Sequence, residues 1–174
     1  MSVEREGPEG EKVLGTDAFL VSKTDKSGRI TYANQTFIDL SGYSERELLD
    51  KDHNVVRHSD MPRGVFKLMW DTLKRPEEFI GFVKSRGKDG SAYWAYATII
   101  PSFDPRGEVI GYFSVRRKPK EGALAAIEAI YRAMLEEEAR QSGDAGVRAS
   151  VALLNNLLAE KGLSYEQYIL GLQV

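Results

Sequence analysis

The sequence contains no cysteine, which excludes disulfides, thiolate nucleophiles and cysteine-ligated metal. Histidine is almost as scarce. His53 and His58 are the whole supply, and their spacing does not set two imidazoles at i, i+4 on one helical face, so no metal site is expected. No stretch approaches the roughly 20 apolar residues that cross a bilayer; the longest run, 93–100, is too short. The amino terminus, MSVEREGPEGEK, is polar and lacks the apolar centre of a secretory signal, so a cytoplasmic protein without membrane insertion is expected. The formal net charge of -2 provides no broad basic surface for nucleic acid or anionic lipid. A local basic cluster, Arg116, Arg117, Lys118 and Lys120, reads as a solvated strand end. There is no phosphate-cradling glycine loop, and the acidic run Glu136, Glu137, Glu138 reads as a solvated helix face. No catalytic constellation emerges, and an enzyme is not expected.

What is present alternates in kind along the chain. Residues 1–17 are polar and read as a flexible N-terminal cap. Two strands follow, over 18–24 and 29–33, joined by the turn residues Asp25, Lys26, Ser27 and Gly28. Asn34 is placed to cap a helix over 35–40, and Ser44 with Glu47 forms a capping box for another. Asp60, with Pro62 just after it, is placed to open a third helix, along which Phe66, Met69, Trp70 and Leu73 recur at helical spacing. The period then changes to two. Strands are expected over 79–85, 91–100 and 108–117. In the middle one, Trp94, Tyr96 and Thr98 fall on one face and Tyr93, Ala95, Ala97 and Ile99 on the other. One face can cover a core while the other meets a partner or a terminal helix. Strands segregated from short helices give an α+β fold over 18–120.

The remainder, 121–174, reads as a C-terminal helical extension. Leu124, Ile127, Tyr131 and Met134 make one apolar stripe, and Val147, Val151, Leu154 and Leu158 a second, closed by Gly162. Ser164 and Gln167 form a capping box for a last short helix. The two stripes are suited to bury each other, the sheet or a second protomer.

ITYANQTF over 30–37, followed by SGY over 41–43, resembles the opening of a PAS domain. HNVVRHSDMP over 53–62 is more particular. With Met69-Trp70, Thr72-Leu73-Lys74, GFVK over 81–84, Lys88-Asp89-Gly90, Tyr93-Trp94 and Gly111-Tyr112, it resembles the PAS sensor of bacterial aerotaxis receptors. The resemblance implies a sheet of five antiparallel strands with short helices on one face closing a pocket. It also implies noncovalently bound FAD and a role in sensing oxygen or redox state. The flavin-linked positions of that family match here at Asn34, Arg57, His58, Asp60 and Trp70. Two positions depart: Phe79 stands where tryptophan is usual, and Ser85 where an asparagine amide is expected to contribute to the flavin site. Without a thiol, no cysteinyl-flavin photoadduct can form.

Each candidate has a plainer reading beside the functional one. Phe66, Trp70, Tyr93 and Trp94 offer flat walls for an isoalloxazine, or are simply core. Arg57 offers a planar fork for a pyrophosphate or carbonyl edge, or pairs with Asp60. His58 hydrogen-bonds a cofactor, ligates haem iron, or is structural. Asp60 and Asn34 contact a ligand or only cap helices. The expected function is a sensor that reports to a signalling partner, a chemotaxis transducer or kinase, or through self-association of its C-terminal helices. The alternatives are a haem-binding gas sensor and a cofactor-free interaction module.

Overall fold

The long central strand organises the molecule. In the computed structural model, which describes residues 3–6 and 10–174, it spans Ala92–Phe103 and is β6. The other strands are β1 (Val3–Glu6), β2 (Lys12–Leu14), β3 (Leu20–Asp25), β4 (Ile30–Ala33), β5 (Phe79–Arg86) and β7 (Val109–Arg117). β5 pairs with one edge of β6, from Phe79↔Ile99 to Arg86↔Ala92. β7 pairs with the other edge, from Tyr96↔Arg117 to Phe103↔Val109, and β3 and β4 continue the antiparallel meander.

The sheet has seven strands rather than five, in the order β1-β2-β6-β7-β3-β4 with β5 beside β6. The two extra strands come from the segment expected to be a loose cap. β7 leaves the first residues of β6 unpaired on its side, and β2 pairs there in parallel through Lys12↔Tyr93. Leu14 then drops into the core at 1% exposure. The rest of the expected cap, residues 1, 2 and 7–9, lies outside the described residues.

Helices α1 (Gln35–Ser41) and α2 (Glu45–Leu48), a 3-10 turn (His53–Val56) and α3 (Arg63–Lys74) lie between β4 and β5. Local capping chemistry sets the first two, as expected. Asn34 accepts from the amide of Phe37, and Ser44 and Glu47 complete a reciprocal capping box. α3 breaks the pattern. Its N-cap position is Pro62, which has no capping side chain, and Asp60 instead binds Lys84 Nζ at 2.9 Å.

Both faces of β6 are covered. Tyr93 and Ala95 join Phe37, Leu40, Leu48 and Val56 in the core on the α1–α2 side. Trp94 and Tyr96 face the other way and pack against α4 (Ala123–Arg140). The Trp94 and Tyr131 rings lie 6.0 Å apart, and Tyr131 donates its hydroxyl to the carbonyl of Phe82 at 2.7 Å. α5 (Gly143–Lys161) runs back along α4 and crosses α3, and α6 (Tyr165–Gln173) stacks Tyr165 on Phe79. Ile127, Tyr131, Met134, Leu154 and Leu158 are all buried within the one chain. Self-association through those stripes would therefore require the helices to leave the body. Among the described residues, no helix is long and apolar enough to cross a membrane.

Candidate functional site

A cavity of about 320 Å³ lies between the inner face of the sheet and α3. Its size falls at the small end of the range usual for ligand pockets, about 300–1,000 Å³. α3 presents Phe66, Met69, Trp70 and Leu73 from one face, because positions three and four apart share a helical side. The sheet supplies Ala97 and Ile99 from β6, Tyr112, Ser114 and Arg116 from β7, and Val83 and Ser85 from β5. The segment 52–57 closes one wall, tied to β5 by a backbone bridge between Arg57 and Ser85. Trp70 is fixed on two sides. Its ring meets Tyr112 edge-on at 5.4 Å and lies over Gly28, whose φ of +88° suits the β3–β4 turn to glycine.

The walls are largely apolar, with Asp52, Arg57, Lys84 and Arg116 as their charged members. Arg116 is 2% exposed and points inward beside Ser22 and Phe37. Its guanidinium carbon sits 4.3 Å from the Phe37 ring centroid, one terminal nitrogen donates to Ser22 Oγ at 2.9 Å, and Nε has no hydrogen-bond partner. Burial lowers its pKa, and no carboxylate among the described residues pairs with it. Ser22 Oγ also lies 3.0 Å from His53 Nε2. Because the hydroxyl can accept twice or donate, a neutral imidazole satisfies this hydrogen bond in either tautomer. Burial, reinforced by the charge of Arg116, pushes the His53 imidazole down to about 3, in keeping with that arrangement. The cavity thus has largely aromatic and aliphatic walls, a neutral imidazole and, beside the partnered Asp52, Arg57 and Lys84, one buried cation lacking an anion.

A family model described as PAS fold matches residues 30–116, half of the chain. The chain belongs to the PAS-fold family. Over 121 residues it is 43% identical to the aerotaxis receptor of Escherichia coli (strain K12), covering 70% of this chain and 24% of the receptor. It is 33% identical over 97 residues to a nitrogen fixation regulatory protein of Klebsiella pneumoniae, covering 56% of this chain and 20% of that protein. This PAS chain therefore spans about a quarter of those relatives or less. Among solved structures, it resembles a light-oxygen-voltage domain studied with a flavin analogue. There the TM-score is 0.53 and the identity 25%, over 71% of this chain and 87% of that one. The aureochrome1 light-oxygen-voltage domain, at 21% identity and TM-score 0.55 over 66% of this chain and 85% of that one, shares the fold. The expected kinship with the aerotaxis-receptor PAS sensor is borne out.

The PAS cavity gathers some of the predicted residues and not others. Arg57, Phe66 and Trp70 line it, with the Arg57 guanidinium 4.7 Å over the Phe66 ring and donating to the carbonyl of Met61. Asn34 lies outside the lining, and its amide is engaged by the backbone of Val21, Phe37 and Phe19. His58 also lies outside. Its Nδ1 accepts from the amide of Asp60, so the haem reading loses its intended ligand in this cavity. Burial is the main cause that lowers the His58 pKa, opposed by Asp60. Asp60 binds Lys84, which lowers its pKa, and is not the partner of Arg57. Tyr93 is buried under α1 and Trp94 on the opposite face of the sheet, both as core.

Among the polar groups that face the PAS cavity, His53, Ser114 and Arg116 lie outside the candidate set, and Ser85 stands where the resemblance expects an asparagine. Arg116, expected in a solvated cluster at the strand end, is instead buried. The available signal was period two: Tyr112, Ser114 and Arg116 occupy one face of β7, so a pocket-facing Tyr112 implies an inward Arg116.

A pH dependence follows. The folded pKa of His53 lies below its ordinary value, so the unfolded chain takes up a proton that the folded PAS domain refuses. Stability is full above the ordinary pKa and falls as pH drops toward the folded value. Between about pH 7 and about pH 5.5, above the carboxylate range, the loss due to His53 is about 1 kcal/mol. Urea titrations should show this fall, and His53→Gln should remove the larger part of it. His58, also lowered, contributes in the same direction. An unchanged slope in the variant would place the proton uptake elsewhere.

Proposed function

We propose that this PAS domain binds FAD noncovalently and reports oxygen or redox state to a signalling protein, a chemotaxis transducer or kinase. The observation that carries the reading is Arg116, a buried cation with an unpaired Nε and no counter-charge in a largely apolar cavity. An uncompensated buried charge costs several kcal/mol, so the site is completed by a ligand that brings an acceptor or a negative charge. A flat heteroaromatic ring with an acceptor edge meets both demands: Phe66, Met69, Trp70 and Ile99 hold its faces, and Arg116 and His53 address its edge. Arg57, stacked on Phe66, is the donor for a pyrophosphate. The likeness to an aerotaxis receptor and to a light-oxygen-voltage domain studied with a flavin analogue supports the same choice.

The bound flavin supplies electron transfer, and the protein supplies binding, orientation and electrostatics. Arg116 interacts more favourably with an electron-rich ring than with an electron-poor one, and that difference is what biases two conformations. The readout runs from β7, which carries Arg116, into α4. The connector between them is clamped by Gln173, which accepts from the amide of Lys120 at 3.0 Å and donates to the carbonyl of Lys118.

The test is the spectrum of the purified protein and the identity of what it releases. A yellow protein that yields FAD on denaturation is expected. A Soret band would replace flavin with haem. A folded, colourless protein that takes up no added FAD would leave a cofactor-free interaction module.

A further inference from the structure

We propose that Glu138 is a positioning residue for the cavity, through which the α4–α5 hairpin and the ligand control one another. This rests on the reading of the cavity as an FAD site. α3 walls the cavity with Phe66, Met69, Trp70 and Leu73, yet it lacks an N-terminal cap of its own. Glu138 of α4 provides one from 74 residues away. Its Oε1 accepts from the amide of Gly64 at 2.8 Å and its Oε2 from the amide of Arg63 at 3.0 Å. The Arg63 Nε lies 3.5 Å from Oε2, and Ser150 of α5 donates its hydroxyl to Oε1 at 2.9 Å. One buried carboxylate therefore holds three helices together. The contact is as close as the backbone permits: a Cβ on Gly64 would stand 2.3 Å from Ser150 Oγ.

α3 is a short rigid rod with the ligand wall along one side and the Glu138 carboxylate at its start. Hydrogen bonds to a carboxylate are directional and weaken steeply when misaligned. Without a ligand, Phe66 and Trp70 lack a brace, and the start of α3 leaves the Glu138 carboxylate more often. A filled cavity braces those side chains and keeps the helix start on the carboxylate, to which its positive end is also attracted. Ligand binding thus favours the docked hairpin, and by linkage the docked hairpin strengthens ligand binding by the same factor.

Hydrogen exchange on the full chain, with and without added FAD, tests this. In the wild type, FAD should slow amide exchange across 123–161 by about tenfold. Glu138→Gln keeps the shape but turns an N–H toward the Arg63 amide. It should abolish that slowing and weaken FAD binding by a similar factor, read independently from flavin fluorescence. Ser150→Ala, which keeps the carboxylate on α3 and removes its anchor on α5, should give the same change to a lesser degree. FAD bound by the wild type with unchanged exchange over 123–161, or wild-type affinity in Glu138→Gln, would overturn the proposal. Should the wild type bind no FAD, the flavin reading fails separately and the coupling is read without ligand. Glu138→Gln should then raise exchange in α3, α4 and α5 more than in β3 and β7. An equal rise throughout would reduce Glu138 to an ordinary structural contact.

Discussion

Arg116→Met should raise the thermal midpoint of the ligand-free protein and, in the same molecule, weaken FAD binding by about 10- to 100-fold. The two effects have one cause. In the free protein the guanidinium is 2% exposed, keeps a single hydrogen bond to Ser22, and has no counter-charge. Replacing buried ion pairs with apolar side chains is often neutral or stabilising by about 1–4 kcal/mol, and removing a charge with no partner should fall at the stabilising end, a shift of several degrees for a chain of this size. The loss of the contact to Phe37 offsets part of that gain. In the proposed complex the same nitrogens would face an acceptor edge, and a hydrogen bond to a charged group is worth about 1.5–3 kcal/mol. Calorimetry without ligand and a fluorescence titration with FAD read the two effects. If midpoint and affinity fell together, Arg116 would be a satisfied strut of the fold, and the argument for a completing ligand would be lost.

Glu138→Ala should lower the unfolding free energy by about 3 kcal/mol, while Glu136→Ala, two residues earlier, should change it by less than about 0.5. The residues look alike in sequence, and both sit on α4. Glu136 is exposed. Glu138 is buried and accepts from two backbone amides and a serine hydroxyl. Removing it strands the first amides of α3, a helix that starts at proline and has no other cap. Denaturant titration distinguishes the two. A Glu138→Ala protein as stable as Glu136→Ala would mean that water satisfies those amides equally well. The solvated helix face read from the acidic run would then be the correct description.

The parts of the fold that were legible share a short range. Asn34 with Phe37, Ser44 with Glu47 and Ser164 with Gln167 are partners three residues apart, and each cap forms as the residues predict. The two faces of β6 were legible for the same reason, because alternation is a property of the strand itself. The capping of α3 was not. Its acceptor lies 74 residues downstream, and Asp60, the nearby carboxylate, is held by Lys84 across the chain. The N-terminal strand pairing was also hidden, because β2 is short and takes its place only where β7 leaves an edge of β6 open.

Sequence alone determined the absence of thiol chemistry, the local caps, the periodicities, and a family motif dense enough to point to a PAS sensor. It supplied eight plausible site residues without ranking them. Tertiary structure ranked them, placing Arg57, Phe66 and Trp70 at the cavity and Trp94 under α4, and it brought Ser22, His53 and Arg116 together from 31 and 94 residues apart. The physical reason is that a side chain's charge and shape are written at one position, whereas its burial and partners depend on strand register. In β7, the register Ser22↔Ser114 turns Arg116 inward, and the next residue, Arg117, outward.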